Sequence, residues 1–337
     1  MSLWRYTLRR VVLLVPVLFG ITLVAFALTH IVPRNPVYAL VGAFADQKLV
    51  AETVKRYGLD QPLYIQYGRY LVQLLHGDLG ISIQTGRPVW DEISYRLPAT
   101  LELTTLALLL AIILAVFLGA VAALRRGRTV DHLARLFALV GNSLPEFWLG
   151  LIFVFCFYYW LAWAPPPIGR IASNVQPPAT LTHFYLIDAL LVGRWDTWRS
   201  AAAQLILPVC TLAFIITAPI MRTVRANVLE VLGSPYVRCA EAHGLQRGRI
   251  LSSYVLRNAL LAVITLTAII YGYLLGGAVL VEKVFSWPGL GQWAADAIVK
   301  QDYPAVQAFV LLAACFYVLV YLVADLLLAF VDPRIRY

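Results

Sequence analysis

Charge is scarce in this chain. Only 13% of its 337 residues are Asp, Glu, Lys or Arg, while 61% are hydrophobic, a balance that excludes an ordinary soluble domain. Acid is scarcer than base: 18 acidic against 27 basic residues leave a formal charge of +9. In a soluble chain that excess would point to nucleic acid. Here the arginines flank apolar runs, and membrane orientation explains them better. Cysteine is rare. The four (Cys156, Cys210, Cys239, Cys315) show no C-x-x-C spacing and three fall inside apolar runs, so they read as small buried hydrophobes and not as a redox or metal set. The five histidines (His30, His76, His132, His183, His243) form no ligand set, and no bound metal is expected. The pattern G-x-x-x-x-G-K-[ST] is absent, so ATP hydrolysis must come from other chains. Paired acids, a Ser/Lys pair or a zinc-type His motif inside the apolar runs, which an intramembrane enzyme needs, are absent too. No internal repeat of solenoid period is visible.

What the chain has is apolar length. Runs at 11–31, 99–124, 136–163, 201–221, 259–281 and 305–331 each reach the roughly 20 residues that span a bilayer core. Residues 186–192 are too short to do so. Ala25-Phe26-Ala27 imitates a signal-peptide cleavage site, but the first run is too long and continues past it. Arginine clusters mark one side: Arg5, Arg9 and Arg10; Arg125, Arg126 and Arg128; Arg222, Arg225, Arg238, Arg247 and Arg249; Arg334 and Arg336. The positive-inside rule makes that side, with both termini, cytoplasmic. The 33–98 interval carries both charge signs and is long enough to be an ordered extramembranous piece. The expectation is an all-α polytopic membrane protein with six transmembrane helices and a long periplasmic loop after the first. Residues 1–98 form the first part and 99–337 the main transmembrane domain.

One polar interval carries helix signals between two spans. Ser234 is placed to cap a helix with its hydroxyl, Pro235 suits the first helical position, and Gly244 suits a left-handed stop. A helix over 235–243 follows, with a second beginning near Gln246. Tyr236, Val237, Ala240 and Leu245 give it an apolar side, with Arg238 and Glu241 elsewhere on its surface. With Arg238, Glu241 and His243 it is a poor lipid anchor. Docking in a groove of a soluble partner is the better reading.

Here the sequence resembles a known family. Arg238-Cys239-Ala240 with Gly244, then Leu256-Arg257-Asn258-Ala259-Leu260, is similar to the cytoplasmic coupling motif of permease subunits of bacterial ATP-binding-cassette (ABC) importers, in the dipeptide/oligopeptide/nickel group. Gly77-Asp78-Leu79-Gly80-x-Ser82, Pro98-Ala99-Thr100-Leu101-Glu102-Leu103, Ser143-x-Pro145-x-Phe147-Trp148, Val284-Phe285-Ser286-Trp287-Pro288-Gly289-Leu290-Gly291, Asp302-Tyr303-Pro304 and Asp332-Pro333-Arg334-Ile335-Arg336 match as well. The resemblance covers nearly the whole chain. Leu186-Ile187-Asp188-Ala189 and 229–233 lean toward its dipeptide branch. The chain departs from the pattern at Pro33-Arg34-Asn35-Pro36, where Asn35 can still form a turn, and at Gln246 and Gly248.

The resemblance implies a type I ABC importer permease fold in the bacterial inner membrane. It implies pairing with a second, unlike permease chain. Two cytoplasmic ATPases would bind ATP and Mg, so this chain itself carries no cofactor and is not an enzyme. A periplasmic substrate-binding protein would deliver peptide. Arg238, Ala240, Glu241, Gly244 and Leu245 become the ATPase contact. Nickel chelate and glutathione-like peptide are alternative cargoes, and a secondary transporter is the alternative class.

Two further sets of residues stand out. Glu146 lies roughly 16 Å along a helix from Arg135, near mid-bilayer, where an acid is costly unless paired or wet. With Ser143 and Pro145 it is a candidate wall of the translocation path, or else a paired or protonated acid. It is the one conspicuous ionisable group expected in the spans. Trp287, Pro288 and Gly289 suggest a rigid turn at the outer interface. That turn is either an outer gate or binding-protein contact, or a membrane-surface anchor. Asp325, near the cytoplasmic end of the last span, is expected to meet a neighbouring chain or an arginine.

Overall fold

The computed structural model describes residues 3–31, 46–48, 51, 54–55 and 60–331. Among them there is no strand, only one isolated bridge between Ile81 and Pro88. The motifs at 33–36 and 332–336 lie outside the described residues, as do the side chains of Arg5, Arg9 and Arg10.

The helices follow the apolar runs but overshoot them. α1 is Leu3–Ile31, α2 Leu63–Leu75 and α3 Val89–Leu124. α4 is Thr129–Ser143 and α5 Glu146–Trp160, its last seven residues in π geometry. α6 is Tyr185–Leu191 and α7 Trp195–Leu232. α8 is Pro235–Ala242, α9 Arg247–Ala259 and α10 Leu261–Gly277. α11 is Val279–Val284, α12 Leu290–Val299 and α13 Tyr303–Val331. By length and hydropathy α3, α7 and α13 can each cross a membrane. Two bent pairs pass the same test together: α4 with α5, and α9 with α10 across a 47° bend.

The third run is not one straight span. α4 and α5 meet at 106°, and the break falls at Leu144–Pro145. Both residues are extended there, because proline pushes its predecessor out of helical geometry. The straight-helix distance that put Glu146 near mid-bilayer therefore does not hold.

The core is the α3–α7 pair. Along α3, Ala107, Ala111, Ala115 and Ala122 are fully buried, and such small residues let two backbones approach in lipid. Gly119 marks the closest point. A Cβ there would stand 2.8 Å from the Met221 carbonyl oxygen and 2.9 Å from Val224. α7 tolerates Pro208 and Pro219 within its 38 residues. Thr211, Thr217 and Thr223 donate their hydroxyls to carbonyls one turn back, so these polar groups enter the apolar layer already satisfied. α13 packs on α10 and α1.

At one end of the pair, Asp131 of α4 holds Arg225 of α7 through two contacts of 2.6 and 2.9 Å and accepts from the Gly127 backbone at 3.0 Å. Arg225, read from the sequence as one of the arginines that orient the chain, is thus also a structural tie.

Candidate functional site

Three places carry the chemistry. The first is α8, a short helix standing beside α7 and α9. Its start is built partly as expected. Pro235 occupies the first turn, but the Ser234 hydroxyl does not cap the helix. It donates instead to the Val231 carbonyl at 2.6 Å, in the last turn of α7, the same carbonyl that accepts from the Ser234 N–H at 3.0 Å. The helix stops as expected: Gly244 is left-handed at φ 73°. The Leu245 N–H bonds the Ala240 carbonyl and the Gly244 N–H bonds that of Glu241, the paired closure that satisfies a helix C-terminus. Val237 and Ala240 are buried in the core, Leu245 packs on it, and Tyr236, expected on that side, is exposed. Arg238, Glu241 and Gly244 point outward, with Arg238 reaching back to the Gly233 carbonyl at 2.9 Å. Of the five residues expected to meet a partner, Ala240 therefore turns its side chain into its own chain.

The second place is the α4–α5 break. Ser143 and Pro145 are exposed and Glu146 is half-buried. The Ser143 hydroxyl donates to Leu139. Glu146 has no ion-pair or hydrogen-bond partner among the described residues. Beside the break, a cleft of about 300 Å³ between α4 and α7 is lined by Arg135, Asn142, Arg222 and Arg225 above apolar Leu139 and Met221.

The third place is the turn 285–291, which differs most from expectation. Trp287 is not at a surface. It is 1% exposed, and its indole N–H donates to the Ala99 carbonyl at 2.9 Å. The surface-anchor reading fails because the ring fills the core between α3 and α11. Pro288 is half-buried and Gly289 buried. The organiser is Glu282, with no exposed surface. One carboxylate oxygen accepts from the Thr100 hydroxyl at 2.6 Å, and the other from the Gln292 N–H at 2.8 Å. Thr100 in turn accepts from the Leu290 N–H. A carboxylate therefore sits on the first turn of α12, where free N–H groups and the helix dipole favour it. A Cβ on Gly289 would fall 2.1 Å from that carboxylate, and one on Gly291 would meet it at 3.0 Å, so both must be glycine. Burial pushes the Glu282 carboxyl up to about 7, against the opposing pull of Thr100 and the Gln292 and Gly291 N–H groups.

Two more carboxylates tie distant segments together. Glu102 on α3 pairs with Arg170 at 2.6 Å, both 4% exposed. Its other oxygen accepts from the Leu186 N–H, and Arg170 lies 3.5 Å over the Tyr185 ring. Asp302 accepts from the Ser82 hydroxyl and from the Ile83 and Gln84 N–H groups, joining residues about 220 positions apart. Glu146 is thus not the one conspicuous ionisable group. Glu102, Arg170 and Glu282 were missed, although Glu102 stood inside a quoted motif, because sequence spacing does not show which acid is buried. Burial raises the Asp188 carboxyl, yet the Thr182 hydroxyl and the Thr182 and Leu181 N–H groups outweigh it and hold it below the ordinary range.

The structure brings the second and third places together. Gly150, one turn into α5, faces Phe285 and Val284 at 3.3–3.4 Å from where its Cβ would be. α8 stands apart, reached through α7 and α9.

Residues 115–337 match the family described as binding-protein-dependent transport system inner membrane component, and residues 3–104 match the N-terminal membrane-component family of such systems. Among curated relatives, the "Probable D,D-dipeptide transport system permease protein DdpB" of Escherichia coli (strain K12) is 44% identical, covering 99% of this chain and 98% of its own. The di/tripeptide transport system permease protein DppB of Pseudomonas aeruginosa (strain UCBPP-PA14) is 43% identical, with 98% of each chain covered. The glutathione transport system permease protein GsiC of Escherichia coli O6:H1 is 35% identical over 98% of this chain and 99% of its own.

Proposed function

The chain belongs to the family of binding-protein-dependent transport system inner membrane components, and from that membership we propose that it is the permease half of an ATP-driven importer of short peptides, dipeptides first. The observation that carries this reading is coverage: likeness to peptide permeases at 43–44% identity runs over 98–99% of the chain. Glutathione is the lesser alternative, at 35%.

In this reading the chain makes six passes in the inner membrane, counting each bent pair as one and adding α1. Both termini are cytoplasmic, residues 1–98 supply the first pass and a periplasmic region, and 99–337 form the transmembrane domain. A second, unlike permease completes the path. Two ATPases bind ATP and Mg in the cytoplasm, and a periplasmic binding protein brings peptide. This chain carries no cofactor of its own.

α8 is the lever. Val237 and Ala240 seat it, while Arg238, Glu241, Gly244 and Leu245 offer the contact to an ATPase. Closing of the ATPases pushes α8 against α7 and α9, whose long helices carry the movement inward. Alternating access by rigid rocking needs such an undeformable link. Ser143, Pro145 and Glu146 line the path beside the α4–α7 cleft, and an unpaired acid there suits a peptide's ammonium group. The 287–289 turn, held to α3 through Trp287 and following the Val284–Phe285 contact with Gly150 of α5, closes the outer end.

The test is uptake of labelled dipeptide by proteoliposomes holding this chain with its copurified partners. ATP-dependent uptake, competed by dipeptides more than by glutathione, is expected. Uptake by the chain without nucleotide-hydrolysing partners would overturn the reading. In the same assay, cationic dipeptide should lose more rate than neutral dipeptide on Glu146→Gln, and equal rates remove Glu146 from the path.

A further inference from the structure

α2 belongs to the polar interval after α1, yet it does not stand clear of the spans. Tyr67 on α2 and Thr22 on α1 share a hydroxyl hydrogen bond of 2.9 Å. The Tyr67 ring also meets Phe19 and Phe26 edge-on, with centroids 5.9 and 5.3 Å away, and Tyr70 meets Phe26 at 6.0 Å. Phe19, Thr22 and Phe26 follow one face of α1 at helical spacing.

Depth follows from arithmetic. Thr22 lies about 16 Å from residue 11 and about 14 Å from residue 31 at 1.5 Å per residue, the middle of the apolar run. These contacts with α1 thus place α2 at the level of hydrocarbon.

The composition of α2 suits that level. Tyr67 and Tyr70 face α1. On an adjoining arc Tyr64, Val72 and Leu75 are 74, 54 and 87% exposed, and Ile65 joins them. No residue of α2 is buried. The polar remainder is small. It consists of Gln66, whose amide already donates to the Gln61 carbonyl at 2.8 Å, and of Arg69 and Gln73, both exposed beside the arc. The outward arc continues the exposed apolar surface of α1 at Val15, Phe19 and Leu23. Water on that arc would leave several large side chains exposed at a depth where there is no water.

We propose that α2 is a membrane-embedded helix whose Tyr64–Ile65–Val72–Leu75 arc is covered by phospholipid acyl chains, so that the segment after the first span dips back into the bilayer. The inference rests on reading α1 as a span. It adds a lipid-binding surface beside the transport path, at which bilayer thickness and order can act on the permease.

The test is a nitroxide on single cysteines in the assembled complex in phosphatidylcholine nanodiscs, with native cysteines replaced. Val72→Cys and Tyr64→Cys report on α2, Val15→Cys on α1. Relaxation by oxygen is expected to exceed relaxation by a water-soluble nickel chelate severalfold at all three positions. Stronger relaxation by nickel at 64 and 72 with 15 still oxygen-dominated overturns the proposal and leaves α1 a span. Protection from both relaxants at 64 and 72 means a protein partner covers the arc, and also overturns it. Nickel dominance at 15 as well removes the reading of α1 and the proposal with it.

Discussion

Glu282 shows what a single side chain does here. It has no exposed surface, yet both oxygens have donors, so the cost of burying it is offset only in part. Its carboxyl is raised to about 7 from an ordinary value near 4.5. The native state therefore holds a proton that the unfolded state has released between those values. Linkage gives the sign: the stability contribution is full below about 4.5 and is lost as pH rises through about 7. The thermal midpoint of the purified complex should fall by roughly a few °C between pH 5 and 8 relative to Glu282→Gln, whose side chain does not titrate. Parallel pH profiles for the two proteins would show that the carboxylate stays ionised throughout, held by the α12 N-terminus.

At the scale of elements, what was legible depended on whether the cause was local. The helix over 235–242 was readable because proline at its start and glycine past its end act through their own backbones. The break at Leu144–Pro145 contains a proline, yet the apolar pattern across it is unbroken, and periodicity alone gives no bend. Trp287 could not be placed either, since an indole suits both a bilayer surface and a core, and only the Ala99 carbonyl 188 residues away decides. The local case gives the sharper prediction. Gly244 is left-handed at φ 73° with open space around its missing Cβ, so backbone conformation and not crowding limits the position. A β-branched residue there costs about 1–2 kcal/mol, a bias of roughly tenfold against the closed end of α8. Gly244→Val should lower ATP-driven uptake about that much in assembled complex, while Gly244→Asn, which tolerates the conformation, keeps most of it. Equal uptake by the two variants would mean α8 transmits nothing through its C-terminal turn.

Over the whole molecule, buried carboxylates do what loops alone could not. Glu102 and Glu282 gather the 170–186 and 285–292 segments onto one turn of α3, and Asp302 fastens residues 82–84 to the start of α13. These ties fix sidedness. Residues 84 and 300, both exposed and joined by the Gln84 amide on the Lys300 carbonyl at 3.3 Å, must lie on one face of the membrane. α8 follows the C-terminal end of α7, whose α3 partner carries the Arg125, Arg126 and Arg128 cluster at the same end, and in the proposed topology the positive-inside rule puts that end in the cytoplasm. Cys239 on α8 is exposed and serves as a native probe. In spheroplasts an impermeant maleimide should label Gln84→Cys and Lys300→Cys, each made in a Cys239→Ser background, and should leave Cys239 of the parent untouched. Inside-out vesicles should reverse the pattern. Labelling of Cys239 from outside would invert the chain and remove α8 from any cytosolic ATPase, and opposite sidedness of 84 and 300 would break the Ser82–Asp302 tie on which the outer face is built.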